Sequence, residues 1–247
     1  MMQRNLVTLA TVISIKPLGE NNASVCVLTQ SQGILYVTLY GGPKSRLKSL
    51  VSTWNTGTMY LSLSKGIYKI SDFDVKSYHL TFREDIYKSC AASLAAEIAI
   101  KTHCAGNNER CWALVNGFLN GLEICSEQAE LNSGLMRFLW RYLELLGIQP
   151  ESGLCCHCGN VMEKGGEYVP SENGFICSSC NHRSGTFFVN AEGLFFLTGI
   201  SRLPPKEASA LVLSPQALGQ VKTLIFYLIE SACGVNLLTL KTAAGIL

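Results

Sequence analysis

Four cysteines in the second half of the chain occur as two pairs, and their spacing limits what this region can fold into. Two residues separate the cysteines within each pair, and 18 residues separate the pairs. The four residues are Cys155, Cys158, Cys177 and Cys180. The short gap lets both thiolates of a pair reach one ion, and tetrahedral zinc takes four such ligands. We therefore predict a structural Zn²⁺ site, with four unligated core cysteines as the alternative.

Glycines around the pairs supply the turns that such a site needs. Gly159 directly follows the first pair, and the dipeptides Gly165-Gly166 and Asn173-Gly174 lie between the pairs. These turns would fold the second pair back onto the first. Three neighbouring residues could also be ligands, and spacing alone leaves this open. They are Cys156, His157 and His182.

A site with four thiolate ligands has no open position for water or substrate, so its role is structural. The sequence lacks the H-x-E stretch of a zinc deaminase, and it contains neither a G-x-S-x-G nor a Walker A motif. The chain is therefore predicted not to be an enzyme. Its function is expected to lie outside the zinc site.

Composition favours a reducing, cytoplasmic location. The chain has 11 cysteines, so seven lie outside the quartet, an odd number that does not suit a disulfide framework. An apolar stretch after Arg4 loosely resembles a signal peptide, but it is rich in β-branched residues and soon meets Lys16, so we predict a strand. No run approaches the roughly 18 apolar residues of a membrane helix, and no membrane partner is expected.

Positive charge is concentrated in the first third of the chain. Residues 1–80 contain eight lysines and arginines against three acidic residues, a net charge of +5. The whole chain carries only +2, so the remainder carries −3. This asymmetry predicts a basic module on a mildly acidic body.

The basic module reads as five short strands over residues 6–77, which predicts an OB-fold β-barrel. Between the third and fourth strands, Lys44, Arg46 and Lys48 follow a Gly-Gly-Pro hinge. Such a segment could lie along a phosphate backbone. A solvated loop is the alternative.

The periodicity changes to that of helices after residue 80. One apolar helical stripe is predicted through Ile86, Cys90, Leu94 and Ile98, with Tyr87 and Ala91 beside them. Further helices are predicted over 109–124, 126–146 and from Ser214 to Gly234. The predicted fold class is α+β and multidomain. An N-terminal OB-fold barrel precedes an all-helical domain with an inserted four-cysteine zinc module. The predicted boundaries are 1–79 for the barrel, 80–150 and 185–247 for the two helical parts, and 151–184 for the module.

This order of modules resembles the RecO family of bacterial recombination mediators. The resemblance covers essentially the whole chain. It is carried by the segment 42–47, by residues 143–147 with Pro150, and by the four-cysteine module. It implies a protein that binds single- and double-stranded DNA, anneals complementary strands, and works with RecR to load recombinase on strands coated by single-strand-binding protein. It also implies a bacterial, nucleoid-associated location.

The resemblance also suggests site residues. Lys44, Arg46 and Lys48 match the family's basic DNA-binding segment, and we add Arg4 and Lys16 from the same module. Arg137 and Arg141 lie in the helix where the family binds the acidic C-terminal tail of single-strand-binding protein.

Aromatic residues are few in the first 60 positions, so contacts to the DNA backbone are expected to dominate over base stacking. The aromatics are Tyr36, Tyr40, Trp54 and Tyr60. A competing hypothesis is a zinc-ribbon adaptor that acts through protein contacts only, and salt-dependent DNA affinity would distinguish the two.

Overall fold

A computed structural model describes residues 4–41, 45–181 and 187–247, apart from the side chain of Arg4. Lys44 and His182, both named above, lie outside the described residues. The chain forms two compact units. The first comprises residues 1–123 with Ile246, and the second comprises residues 124–245 with Leu247.

The first unit contains a closed barrel of five strands. The strands are β1 (Arg4–Leu18), β2 (Asn22–Thr29), β3 (Gly33–Leu39), β4 (Thr56–Ser64) and β5 (Ile67–Ser77). Their order is β1-β2-β3-β5-β4, and β4 pairs back onto β1. All pairs are antiparallel except β3 with β5. This is the five-stranded architecture of an OB-fold, so the predicted barrel is confirmed.

Alternating side chains fill the barrel. Val25 and Val27 of β2 are fully buried and pack with Met59 and Phe73 from the other side, as expected for residues two apart on one strand. One glycine is required by a close approach: a Cβ on Gly57 would run into the carbonyl oxygen of Asp74, at an irregularity between β4 and β5.

A short helix, α1 (Arg46–Leu50), follows β3 in the segment for which we expected a phosphate-binding stretch or a solvated loop. Leu47 and Leu50 are three residues apart and pack against the barrel core. The apolar contacts of these two leucines explain why the segment forms a helix.

Two longer helices belong to the same unit as the barrel. They are α2 (Ile86–Lys101) and α3 (Asn108–Ile124). The predicted stripe on α2 is wrong at its first two positions, because Ile86 is 68% exposed and Cys90 is only half-buried. The buried face runs through Tyr87 and Ala91, the two residues expected beside the stripe. Small alanines let the helix pack closely, a preference that hydrophobicity alone does not reveal.

Polar contacts tie α3 to the barrel. The hydroxyl of Thr11 donates to Asn116 Oδ1 at 2.8 Å, and Thr56 reaches the same oxygen at 3.3 Å. His79 is buried and lies 2.8 Å from the carbonyl oxygen of Trp54 and 3.0 Å from Asn120 Oδ1. These buried polar groups have partners, which avoids the cost of desolvating them alone.

The second unit contains helices and a small sheet. The helices are α4 (Gln128–Leu145), α5 (Ala191–Arg202), α6 (Pro205–Ser209), α7 (Pro215–Cys233) and α8 (Leu238–Thr242). The strands are β6 (Gly166–Val169), β7 (Gly174–Cys177) and β8 (Phe188–Val189), in the order β7-β6-β8. The sheet lies between α4 and α5 in the chain, so the predicted insertion into a helical domain is confirmed.

The limits of α7 follow the sequence signals. Ser214 is the N-cap and accepts a hydrogen bond from the backbone N–H of Ala217, and Pro215 occupies the first helical position. Gly234 ends the helix with a φ of 65°. Across the ranges given above, every helix is too short or too polar to cross a membrane.

Candidate metal centre and nucleic-acid surface

The first cysteine pair lies in a tight backbone turn. The N–H of Gly159 donates to the carbonyl oxygen of Cys155 at 2.9 Å, and Gly159 has a φ of +72°. The second pair repeats the motif, since the N–H of Asn181 donates to the carbonyl oxygen of Cys177 at 3.0 Å. Both turns bring their two sulfur atoms to one side.

The β6–β7 hairpin brings the two turns together. Gly166 at the start of β6 pairs with Cys177 at the end of β7, and the hairpin reverses at Asn173, which has a φ of 46°. The N–H of Cys177 donates to the sulfur of Cys155 at 3.4 Å. The glycine and asparagine signals in the sequence therefore mark the turns that close the site.

The four sulfur atoms converge on one point. The Sγ atoms of Cys155, Cys158, Cys177 and Cys180 all lie within 4.8 Å of one another. The Sγ atoms of Cys158 and Cys177 are 3.8 Å apart. Four sulfurs at about 2.3 Å from a tetrahedral ion would be separated by about 3.8 Å. The geometry therefore fits a metal ion with four thiolate ligands.

The thiols of this cluster ionise unequally. Desolvation opposes ionisation of Cys155, but backbone N–H groups, led by that of Cys177, lower the pKa of its thiol to about 6. Hydrogen bonding with the thiols of Cys158 and Cys177 raises the pKa of Cys180 to about 12. Clustered thiolates repel one another, and a divalent cation would remove that repulsion.

The small sheet packs on the helical unit through aromatic rings. Tyr168 lies edge-on to Phe175 with ring centres 5.7 Å apart. The ring of Phe187 lies 4.5 Å from that of Tyr227 on α7. Glu167 is buried and accepts a hydrogen bond from the N–H of Phe187 at 2.9 Å. The four-cysteine cluster thus lies at the end of a small sheet that packs against α7.

Two of the additional ligand candidates form a separate cluster. Cys156 and His157, the residues between the first two cysteines, meet the carboxylate of Glu172 in the hairpin turn. The hydrogen bond to Glu172 raises the pKa of His157, and desolvation together with that carboxylate raises the pKa of Cys156 to about 11. Sequence reasoning missed Glu172 because its proximity depends on the hairpin.

Lys16 begins a row of paired residues that crosses four strands of the barrel. Lys16 is exposed and Lys69 is half-buried, whereas Thr38 between them is buried. Lys16 pairs with Ser24, Ser24 with Thr38, and Thr38 with Lys69, across β1, β2, β3 and β5. Directly opposed residues share a face. The ammonium group of Lys69 sits 4.9 Å above the ring of Tyr40. Lys69 was not singled out from the sequence, because its place in the row that begins at Lys16 depends on the β3–β5 pairing.

The barrel aromatics divide into exposed and buried sets. Tyr36 and Tyr40 are 65% and 47% exposed, and Tyr60 is 39% exposed. Trp54 is buried, so its ring is unable to stack on a base. Three of the four aromatics are therefore accessible, all as tyrosines.

The other basic residues are dispersed. Arg46 and Lys48 are exposed on α1, but residues two apart on a helix point to different sides. The backbone of Arg4 pairs with Leu63 near the opposite end of β1 from Lys16. The barrel therefore carries several separated cations, and Lys16 and Lys69 share one row.

Arg137 and Arg141 are neighbours on α4. The Nη1 of Arg137 donates to the carbonyl oxygens of Ala208 and Leu211 at 3.1 and 3.0 Å. Burial and the nearby charge of Arg141 lower the pKa of Arg137. Where the structure describes the chain, neither arginine forms an ion pair. A helical pattern does not predict that Arg137 binds backbone carbonyls, because these partners come from distant residues.

Comparison with known proteins agrees with this architecture. The family model described as recombination protein O C terminal matches residues 83–240. The protein named DNA repair protein RecO from Bacillus pumilus is 29% identical over 167 residues, which cover 66% of this chain and 63% of the relative. The protein of the same name from Alkaliphilus metalliredigens is 24% identical over 173 residues, or 69% of this chain and 70% of the relative.

A longer match extends into the barrel. The DNA repair protein RecO from Heliobacterium modesticaldum is 22% identical over 231 residues, which cover 87% of this chain and 81% of the relative. The match to the Bacillus pumilus protein spans less than two thirds of that relative's length. Since the family model alone covers more than half of the chain, from just before α2 into α8, this protein belongs to the RecO family.

Proposed function

We propose that this protein is a recombination mediator in DNA repair that binds single- and double-stranded DNA and anneals complementary strands. The observation that carries the proposal is the family match, because the matched relatives are named DNA repair proteins. Residues 1–79 would bind DNA, 151–184 would form the zinc module, and 80–150 with 185–247 would receive protein partners. These would be RecR and single-strand-binding protein.

The outer face of the barrel supports the DNA-binding part of the proposal. OB-folds bind oligonucleotides on the face of their second and third strands. Here Lys16 on β1 and Lys69 on β5 flank that face in one row, with the exposed ring of Tyr36 nearby on β3. Cations would neutralise phosphates, and tyrosine rings would stack on splayed bases.

Annealing requires two like-charged strands to lie close together. A surface with several cations lowers that repulsion without any nucleotide hydrolysis. The spread of Lys16, Lys69, Arg46 and Lys48 over different parts of the barrel suits contact with more than one strand.

We expect the purified protein to accelerate annealing of complementary oligonucleotides in the absence of nucleotide. The rate would be followed by fluorescence quenching between labelled strands, at low and high salt. A noncomplementary pair is the control. If the protein neither binds DNA in a salt-dependent way nor raises the annealing rate, the adaptor hypothesis replaces this one.

The four cysteines would hold Zn²⁺ in a structural role. Their fourfold thiolate set and the 3.8 Å separation of two sulfurs support this. Zinc would join the turn of the first cysteine pair to the end of β7, and so fix the sheet that packs on α7. It would leave no coordination position open for a substrate.

The two α4 arginines are proposed to bind the acidic tail of single-strand-binding protein. Arg141 is partly exposed beside Arg137, and neither has a carboxylate partner within the described ranges. A planar guanidinium can grip a carboxylate at two points. A carboxylate arriving from a partner would also relieve the repulsion between the two cations.

We expect Arg141→Ala to weaken binding of a peptide of that acidic tail by roughly tenfold or more, as for the loss of one charged hydrogen bond. Calorimetry with the peptide measures this. Arg137→Ala also removes two hydrogen bonds to backbone carbonyls, so its thermal stability must be measured alongside. Arg110→Ala, an exposed arginine on α3, is the matched control. Equal affinities for Arg141→Ala and Arg110→Ala would remove Arg141 from the site.

A further inference from the structure

The cluster of Cys156, His157 and Glu172 has no part in the proposed function. One ligand atom from each of the three residues lies within 4.8 Å of the other two. The thiol of Cys156 donates to Glu172 Oε2 at 3.3 Å. The Nε2 of His157 lies 2.9 Å from each carboxylate oxygen. A sulfur, a nitrogen and an oxygen donor therefore meet at one point on the surface.

The backbone holds the cysteine side of this cluster in place. The N–H of Cys156 donates to the carbonyl oxygen of Phe175 at 2.8 Å. The side chain of Cys156 then lies over Gly174, where an added Cβ would come within 3.0 Å of the Cys156 Cβ. A glycine at this position lets the turn of the first cysteine pair approach the β6–β7 hairpin closely.

The hairpin turn positions the carboxylate. The N–H of Glu172 donates to the carbonyl oxygen of Val169 at 3.1 Å. The next residue, Asn173, is in the left-handed region and accepts a hydrogen bond from the hydroxyl of Tyr168 at 3.0 Å. The ring of Tyr168 is buried. The turn that presents Glu172 is therefore anchored to the packed side of the sheet.

We propose that Cys156, His157 and Glu172 form a second metal site, for a divalent ion of borderline softness such as Zn²⁺. Thiolate, imidazole and carboxylate are all zinc ligands, and one of each is a donor set that alkaline-earth ions do not favour. Ligands about 2.0–2.3 Å from a tetrahedral ion lie about 3.3–3.6 Å apart. The carboxylate of Glu172, at 3.3 Å from the Cys156 sulfur and 2.9 Å from His157 Nε2, lies within a few tenths of an ångström of that range.

The second site differs from the four-cysteine cluster in two ways. It has three protein ligands, so one coordination position stays open to water or to a ligand from a partner. Its three residues are exposed, whereas Cys155 of the first cluster is buried. Metal here would exchange readily, while metal held by four thiolates would be retained.

The test uses the full, untagged chain, loaded with Zn²⁺ under reducing conditions. We expect two zinc equivalents per chain, of which a mild chelator removes one. The affinity for the removable zinc should fall roughly tenfold or more in each of three variants, Glu172→Gln, His157→Ala and Cys156→Ser. All three should keep the retained equivalent. Glu163→Gln, an exposed glutamate of the same module outside both clusters, should behave as the wild type.

Cobalt gives a readout of the ligand set itself. When Co²⁺ is added to chain that has kept only its retained zinc, we expect a visible ligand-field spectrum with a sulfur-to-cobalt charge-transfer band. That band should be absent in Cys156→Ser and present in Glu163→Gln. If the wild type gives no such band, or if the band persists in Cys156→Ser, the second site does not exist.

The outcomes separate this site from the proposed zinc module. If the retained equivalent is missing but cobalt still depends on Cys156, His157 and Glu172, the second site stands and the four-cysteine proposal fails. If the three variants lose both equivalents together while remaining folded by circular dichroism, there is a single shared site. That result would overturn the inference.

Discussion

Replacing Cys177 with serine is expected to abolish tight zinc binding and to unfold the small sheet formed by β6, β7 and β8. Apparent binding free energies of structural zinc are about 10–16 kcal/mol in zinc-finger peptides. A whole domain is stable by only about 5–15 kcal/mol. The free energy lost with the ion therefore exceeds what packing of the few residues of this sheet can offset.

The consequence should extend from the sheet to its helical neighbours in the second unit. Phe187 stacks on Tyr227 of α7, and Val189 of β8 is fully buried. Released from the sheet, these side chains would lose their partners. We expect a lower midpoint for thermal unfolding of the second unit, followed by near-ultraviolet circular dichroism.

Two cysteine variants serve as controls for this prediction. Cys156→Ser removes the thiol next to Cys155, yet the structure keeps Cys156 out of the four-sulfur cluster. Cys90→Ser removes a half-buried thiol in the first unit. Elemental analysis after exhaustive washing should find tight zinc in both. Retention of tight zinc by Cys177→Ser, or its loss from Cys156→Ser, would reassign the ligands.

The cysteine site could be predicted because its information is local. Two residues separate each pair, and glycines stand where the backbone needs a positive φ, as Gly159 and Gly165 do. The limits of α7 were predictable for the same reason, since Ser214 and Gly234 act within one turn of the helix ends. Short-range rules of this kind require no knowledge of the tertiary fold.

The barrel surface depends on long-range pairing, which the sequence does not display. Five strands were predicted correctly, but the row from Lys16 to Lys69 exists only because β3 pairs in parallel with β5. Arg137 is a second example. Its two carbonyl partners come from residues 208 and 211, more than 70 positions away in the chain. A helical pattern alone assigns such a side chain to solvent.

The error on α2 has a different physical cause. A stripe of large apolar residues predicted Ile86 and Cys90 as buried, whereas alanines form much of the buried surface. Helices pack closely where side chains are small. In a densely packed interior, this close fit decides which side chains are buried as much as their hydrophobicity does. Exposed Ile86 occupies the first turn of the helix, where the neighbouring chain leaves it uncovered.

Removing the three basic residues of the segment that runs from the end of β3 through α1, here called the β3–α1 segment, should reduce both the affinity for DNA and its dependence on salt. The variant is the triple substitution Lys44→Ala, Arg46→Ala and Lys48→Ala. Each phosphate contact contributes a slope of about −0.7 on single strands and −0.9 on duplex in a plot of log affinity against log salt. If one strand makes all three contacts, their loss would make the single-strand slope smaller by about 2.

The positions on α1 refine this expectation. Because Arg46 and Lys48 point to different sides of the helix, one strand is not expected to engage both at full strength. If two strands are held, the triple substitution should lower the annealing rate more than the affinity for a single oligonucleotide. Phosphate contacts carry no sequence information, so all sequences should weaken about equally.

A second variant tests the row on the barrel. Lys16→Ala with Lys69→Ala should reduce the single-strand slope by about 1.4 if both cations contact phosphate. It should also loosen the ring of Tyr40, over which Lys69 lies. Poly-pyrimidine strands, whose bases unstack easily, would then lose more affinity than duplex DNA.

A control variant is needed to separate the effect of net charge on DNA affinity from the effect of local contacts with DNA. The triple variant Lys101→Ala, Arg110→Ala and Lys164→Ala removes the same charge from exposed positions outside the barrel. Exposed charges contribute little to folding, so thermal stability should change little in all three variants. Fluorescence titrations at several salt concentrations would give each slope. A common slope for the β3–α1 variant and this control would mean that the segment is solvated, and that DNA responds only to total charge or binds elsewhere on the chain.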